Sequence, residues 1–173
     1  MMYPSGTPTQ PEIISVALSK LDIKPTDVFA DIGCGSGSVS ISASRIAKHV
    51  LAIETRDAAT LATNENIREC GISNITVLKG DAAVLLHDKD IDCAFVGGSK
   101  NISQVLEILM EKVPRFIVSM VRLETVYHVV EILKKNNQFK ELLLIQISRG
   151  SELSGGTMLK PENPVFLIVG GSC

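Results

Sequence analysis

The stretch DVFADIGCGSGSVS, residues 27–40, decides how the chain is read: an apolar strand ending in an acid, a glycine-rich turn, then the start of a helix. Turns of this kind hold ligands at the carboxyl ends of strands. A dinucleotide site needs Gly-x-Gly-x-x-Gly, or Ala in the last position, so that the helix start packs on the strand. Counted from Gly33 the last position is Ser38, and counted from Gly35 it is Ser40, so neither register completes the pattern. A triphosphate loop needs Gly-Lys-Ser/Thr, and no Lys lies between Asp31 and Arg45. What stands there is Asp31 followed by Gly33, Gly35 and Gly37, with Cys34 and Ser36 between them. Three glycines let the backbone bend close to a ligand, and unpaired amides at the helix start face an anion such as a carboxylate.

At 173 residues the chain fits one domain that buries roughly two-thirds of the surface its unfolded form exposes. Apolar residues make up 45% and charged ones 21%, the balance of an ordinary globular protein. A net charge of -2, no Trp and only two Tyr argue against nucleic acid as a partner, which needs clustered Lys and Arg and aromatic platforms. Cys34, Cys70, Cys93 and Cys173 form no Cys-x-x-Cys pair, and His49, His87 and His128 lie apart from them. No metal site or disulfide framework is expected, and each Cys reads as a small buried apolar residue. The polar MMYPSGTPTQ of residues 1–10 lacks the regions of a secretory leader, and no apolar run approaches the roughly 20 residues that span a bilayer. A cytoplasmic location and no membrane partner are the expectation.

Outward from the quoted stretch, strands and helices alternate. PTQPEIISVALSKL before it has a proline and then Ile13, Val16, Ala17 and Leu21 at helical spacing. After it, VSISASRIAKH reads as a helix and VLAIE as a buried strand. DAATLATNENIRECG is a helix closed by Gly71, ITVLKGD and IDCAFVGG are strands, ISQVLEILMEKV a helix, RFIVSMV a strand and LETVYHVVEILKKNN a helix. Five strands with helical crossovers imply a parallel sheet with helices on both faces. FKELLLIQISRG and NPVFLIVGG are then two long strands joined by SELSGGTMLKPE, too short for a crossover helix, so they are expected to pair as an antiparallel hairpin.

Acids close three consecutive strands: Asp31, Glu54 and Asp81. A carboxylate at the second of these positions accepts hydrogen bonds from both hydroxyls of a ribose. A single acid after a strand is commonly a helix cap; three at matching strand ends point to a ligand. The Asp31 to Gly37 segment resembles the Asp/Glu-x-Gly-x-Gly-x-Gly motif of class I S-adenosylmethionine-dependent methyltransferases, whose sheet also ends in an antiparallel hairpin. The fold this resemblance implies is α/β and Rossmann-like, a mostly parallel seven-stranded sheet in one methyltransferase domain over residues 1–173. It implies S-adenosylmethionine as cofactor, held by Asp31, Gly33, Cys34, Gly35, Ser36 and Gly37, by Glu54, and by Asp81 and Ala82 at the adenine. Asp31 would take the ligand's ammonium directly or through water.

The segment Phe95 to Ser99 lacks the Asp/Asn-Pro-Pro-Tyr/Phe and Pro-Cys motifs of base methyltransferases and the Asp-x-Pro of tRNA adenine-N1 methyltransferases. With Val96 to Ser99, Arg122 to Thr125, Ile147 to Gly150, Gly155 to Met158 and Asn163 to Val165, the chain resembles the CbiT family. These are decarboxylating cobalt-precorrin carbon-15 methyltransferases of anaerobic cobalamin synthesis. The likeness runs from about Thr9, placed over the donor, to Gly170; Ile14 stands where members often have Arg, and Lys100 and Asn101 where they often have glycines. It implies a polyanionic corrinoid, a cobalt-precorrin, as substrate and Gly98, Ser99, Lys100, Arg122, Arg149 and Thr157 as its contacts, with Arg149 preferred and Lys160 equally well a solvated charge. It also implies a homotetramer and a separate carbon-5 methyltransferase as partner. Residues 155–158 read either as a plain hairpin tip or as a loop over the macrocycle. No residue is assigned a catalytic role: Glu124 and His128 are at a spacing where they pair with each other. Two other readings share the donor site: a tRNA or other small-molecule methyltransferase, and a non-catalytic S-adenosylmethionine-binding module.

Overall fold

The structure, a computed structural model, describes residues 8–98 and 100–172. Pro11 opens helix α1 (Pro11–Leu21), which buries Ile13, Ile14, Ala17 and Leu21. Strands β1 (Val28–Ile32), β2 (His49–Glu54), β3 (Ile75–Lys79), β4 (Cys93–Val96) and β5 (Arg115–Met120) alternate with α2 (Ser38–Ala43), α3 (Asp57–Glu69), the short α4 (Ala82–Leu85), α5 (Ile102–Lys112) and α6 (Leu123–Lys135). Two of these differ from expectation. Helix α2 is shorter than the VSISASRIAKH pattern, because Ile46 and Ala47 both donate to the Ala43 carbonyl and the chain turns there. Helix α4 was not foreseen in the KGDAAVLL segment; Asp81 caps it by accepting from the Ala83 amide at 3.0 Å.

The main sheet has the order β3-β2-β1-β4-β5-β9-β6, with β6 (Phe139–Ile145) and β9 (Val165–Gly170). The first five strands are parallel, and β9 runs antiparallel to both β5 and β6. Strand order reverses between β1 and β4, which opens a crevice at their carboxyl ends. Both faces are buried. Ile32, Ile53, Val96 and Val118 meet α5 and α6 on one side, and Phe29, Val50, Phe95 and Ile117 meet α1 and α2 on the other.

The expected hairpin is corrected in part. The two long C-terminal segments do pair antiparallel, but residues 139–150 are not one strand: β6 ends at Ile145, and the Glu162 amide donates to the Ile147 carbonyl. The connection between them forms a second sheet of its own, β7 (Ser148–Leu153) and β8 (Gly156–Pro161). Ser154 and Gly155 both have positive φ, 49° and 80°, the backbone of a tight two-residue turn whose twist suits a hairpin. Cys34 and Cys93 are buried as expected, whereas Cys70 is exposed at the C-terminus of α3; Cys173 lies outside the described residues. No helix among the described residues is long and apolar enough to cross a membrane.

Candidate active site

The glycine turn is held from three directions. Gly33, Gly35 and Gly37 have φ of 77°, 59° and 80°, the left-handed region that side chains avoid. The amides of Gly33 and Cys34 donate to the Ile53 carbonyl at 2.8 and 3.1 Å, tying the turn to β2. A Cβ on Gly33 would lie 2.8 Å from the Gly98 amide, so here the β1 turn and the segment after β4 touch backbone to backbone. Helix α3 supplies the third hold. Thr63 donates its hydroxyl to the Gly35 carbonyl and Asn66 its amide to the Ser36 carbonyl, each at 2.8 Å, and both residues are fully buried. Cys34 sits 3.6 Å from the Thr63 hydroxyl, and burial pushes its thiol up to about 12, so the sulfur stays neutral.

The three strand-end acids have different environments. Asp31 is buried; one oxygen accepts from the Ser40 hydroxyl at 2.5 Å and the other has no hydrogen-bond partner. Burial pushes its carboxyl up to about 7, despite the Ser40 hydrogen bonds that favour the anion. Glu54 is also buried, yet burial is outweighed by hydrogen bonds from the Arg56 side chain and backbone, which hold its carboxyl below the usual range. Asp81 caps α4 with one oxygen and accepts from the Asn101 side-chain amide at 2.7 Å with the other. Asp81 is thus a helix cap that also borders a cavity.

Two cavities meet at this end of the sheet. One, of about 430 Å³, is bounded by Glu54, Arg56, Asp81, Ala82, Gly98 and Lys100. The second, of about 380 Å³, is bounded by Thr9, Gln10, Ser119, Arg122, Thr125 and Asn163. Gly97 lines both. A third, of about 570 Å³, continues past Thr9 and Gln10 to Ser38, Arg45, Arg149 and Glu162. Volumes of this order suit small ligands, and the shared glycine suits an exchange between two of them.

Of the residues singled out from sequence, Gly33, Glu54, Asp81 and Ala82 line the first cavity together, joined by Gly98 and Lys100, which had been expected on the substrate side. Asp31, Cys34, Gly35, Ser36 and Gly37 do not line it; Gly35 reaches it only through its amide, which donates to Glu54 at 3.1 Å. Thr9 is in the second and third cavities rather than the first, and Arg122 is in the second. Arg149 lines the third cavity but is already paired, donating to Glu12 at 3.0 and 3.1 Å and lying 3.5 Å from Glu162. Thr157 and Lys160 are exposed on β8, and neither lines these cavities. Ser99 lies outside the described residues. His128 shares a hydrogen bond of 2.8 Å with Ser103 of α5, where a Glu124 partner had been expected. Sequence reasoning missed Ser40, Arg56, Thr63 and Asn66.

Comparisons with known proteins bear on the family and the fold. A family model described as a precorrin methyltransferase domain matches residues 3–169. A Methanosarcina acetivorans protein named probable cobalt-precorrin-6B C(15)-methyltransferase (decarboxylating) is 51% identical, over 96% of this chain and 94% of its own. Among solved structures, a Methanobacterium thermoautotrophicum protein titled precorrin 8W decarboxylase superposes with a TM-score of 0.93 at 31% identity, covering 99% of this chain and 96% of that one. A Geobacter metallireducens protein titled precorrin-6y C5,15-methyltransferase gives a TM-score of 0.91 at 25% identity, covering 99% and 93%.

Proposed function

Because the chain belongs to the precorrin methyltransferase family, we propose that it methylates a cobalt-precorrin at ring carbon 15 and removes carbon dioxide from the carbon-12 acetate. The observation that carries this reading is the meeting of two cavities at Gly97, one rimmed by Glu54 and Asp81 and the other by Arg122. S-adenosylmethionine fits the first on the chemistry of its lining. Glu54 would accept from the ribose diol, Asp81 and Ala82 would border the adenine, and Asp31, whose second oxygen is buried without a partner, would take the ammonium directly or through one water. Bound there, it supplies an electrophilic methyl group on a sulfonium. Gly33, Gly97 and Gly98 leave backbone close to backbone, and a side chain at Gly33 would close that approach.

The second cavity is the acceptor end. Arg122 there has the fixed fork of donors that suits the carboxylates on a corrinoid rim. Ser119, Thr125 and Asn163 add neutral polar groups. The macrocycle provides the nucleophilic carbon and takes up the electron pair left when carbon dioxide departs. The chain's task is to position the two partners and keep water out. No side chain is assigned the return of the proton. Assembly as a homotetramer, in the cytoplasm, is part of the proposal; Leu142 and Leu144 on the edge strand β6 and Leu153 and Leu159 on the ribbon are exposed apolar residues that identical copies would cover. A separate carbon-5 methyltransferase is the partner expected to act on the same macrocycle. Incubation with methyl-labelled donor and a late cobalt-precorrin, followed by mass analysis, tests the reading: one labelled methyl gained and one carbon dioxide lost is the expected product.

A further inference from the structure

Glu54 is over-supplied with donors. A carboxylate offers about four acceptor directions. Backbone amides take three: Thr55 and Arg56 donate to Oε1 at 2.9 and 3.1 Å, and Gly35 donates to Oε2 at 3.1 Å. The Arg56 guanidinium then adds Nε to Oε1 at 3.2 Å and Nη2 to Oε2 at 3.1 Å. One side chain therefore spans both oxygens with two parallel donors, the pattern that two adjacent ribose hydroxyls also present. The Thr55 hydroxyl also donates to Oε1, at 3.4 Å, so two further donors at full strength do not fit. We infer that Arg56 is a place-holder in the diol subsite: its guanidinium and the donor's ribose hydroxyls compete for the same two Glu54 oxygens, and ligand entry displaces the side chain toward solvent. This rests on the donor-site reading above.

The surroundings allow that exchange. The Arg56 side chain is 51% exposed, against 5% for Glu54, so the arginine has water to move into while the carboxylate stays put. Only the side chain needs to move, because the Arg56 carbonyl is held by the amide and hydroxyl of Thr60, each at 3.0 Å, at the start of α3. A Cβ on Gly35 would come within 4.0 Å of Nη2, so the guanidinium lies along the glycine turn that borders the same cavity. Two consequences follow. A buried carboxylate keeps its charged partner whenever the ribose leaves, and the demethylated product is held less tightly than the acid alone would hold it.

Calorimetry on the full chain tests this with S-adenosylhomocysteine, which carries no net charge, and its 2′,3′-dideoxy analogue, in the native protein, Arg56→Gln and Arg56→Met. The diol ligand is expected to bind both variants about three- to tenfold more tightly than the native chain, and the dideoxy analogue to show no gain. Unchanged or weaker binding of the diol ligand overturns the role of Arg56 alone, as does an equal gain for both ligands. A native chain that takes up neither compound overturns the donor-site reading and the place-holder with it.

Discussion

The two cavities that share Gly97 are held by different chemistry. Around the first, nearly every polar group is fixed: Gly33 and Cys34 on the Ile53 carbonyl, Gly35 on both Glu54 and Thr63, Ser36 on Asn66. Its acids are buried or engaged in caps. Around the second and third, the charged groups are exposed or paired with one another, as Arg149 is with the distant Glu12 and with Glu162 just past its own hairpin. One half is a rigid socket for a compact ligand in which only the Arg56 side chain has to move; the other is an open trough whose shape depends on how β7 and β8 sit against α1. The contrast matches the proposed chemistry, in which one partner is small and constant and the other is a wide polyanion.

The largest effect is expected from closing the socket. Gly33→Ala places a Cβ 2.8 Å from the Gly98 amide at a φ of 77°, so the fold should lose roughly 2–4 kcal/mol and donor binding should vanish. Urea unfolding and calorimetry on the same sample measure both; normal donor affinity would break the contrast, because the β1 and β4 turns would then not need to touch. Next in size, Arg122→Ala should raise the KM for the cobalt-precorrin about tenfold while leaving donor affinity as it was. A drop in donor affinity of the same size would merge the two halves into one site.

A smaller effect sharpens the first half. Asp31 has its carboxyl pushed up to about 7 by burial, against 3.8 for an unperturbed aspartate. Between those values the folded chain keeps a proton that the unfolded chain has released. This group's contribution to stability is therefore full below about pH 4 and falls as pH rises through 7. Asp31→Asn should remove that fall, measured by urea unfolding at pH 5 and pH 8. Because an ammonium favours the ionised carboxylate, affinity of the native chain for S-adenosylhomocysteine should rise several-fold from about pH 6 to 8, and the variant's should be flat. A flat native profile would place the ammonium away from Asp31.

How much of this was legible follows from the range of the interactions. The glycine turn and the acids at strand ends could be read because each is a local constraint: positive φ demands glycine, and a strand's end is marked by its own hydrophobic run. The α3 anchor was readable in principle. Thr63 and Asn66 share the buried stripe of Ala59, Ala62 and Ile67, and polar residues on such a stripe must have partners, but nothing local says that the partners lie 28 and 30 residues earlier. The Arg56 clamp depends on how the chain turns after β2, which hydrophobic pattern does not encode. Arg149 reads from the sequence as a substrate contact because its partner Glu12 is 137 residues away. The C-terminal ribbon was hidden by the apolar run through Ile147, which continues the β6 pattern beyond the point where β6 leaves β9.

The most direct measurement is calorimetric titration of S-adenosylhomocysteine, NAD and ATP into the native chain and Glu54→Ala. Uptake of the thioether alone, weakened about 10- to 100-fold by loss of the diol acceptor, is the expected result. Uptake of NAD or ATP with the thioether ignored, or an unweakened Glu54→Ala, would contradict the socket and every step drawn from it.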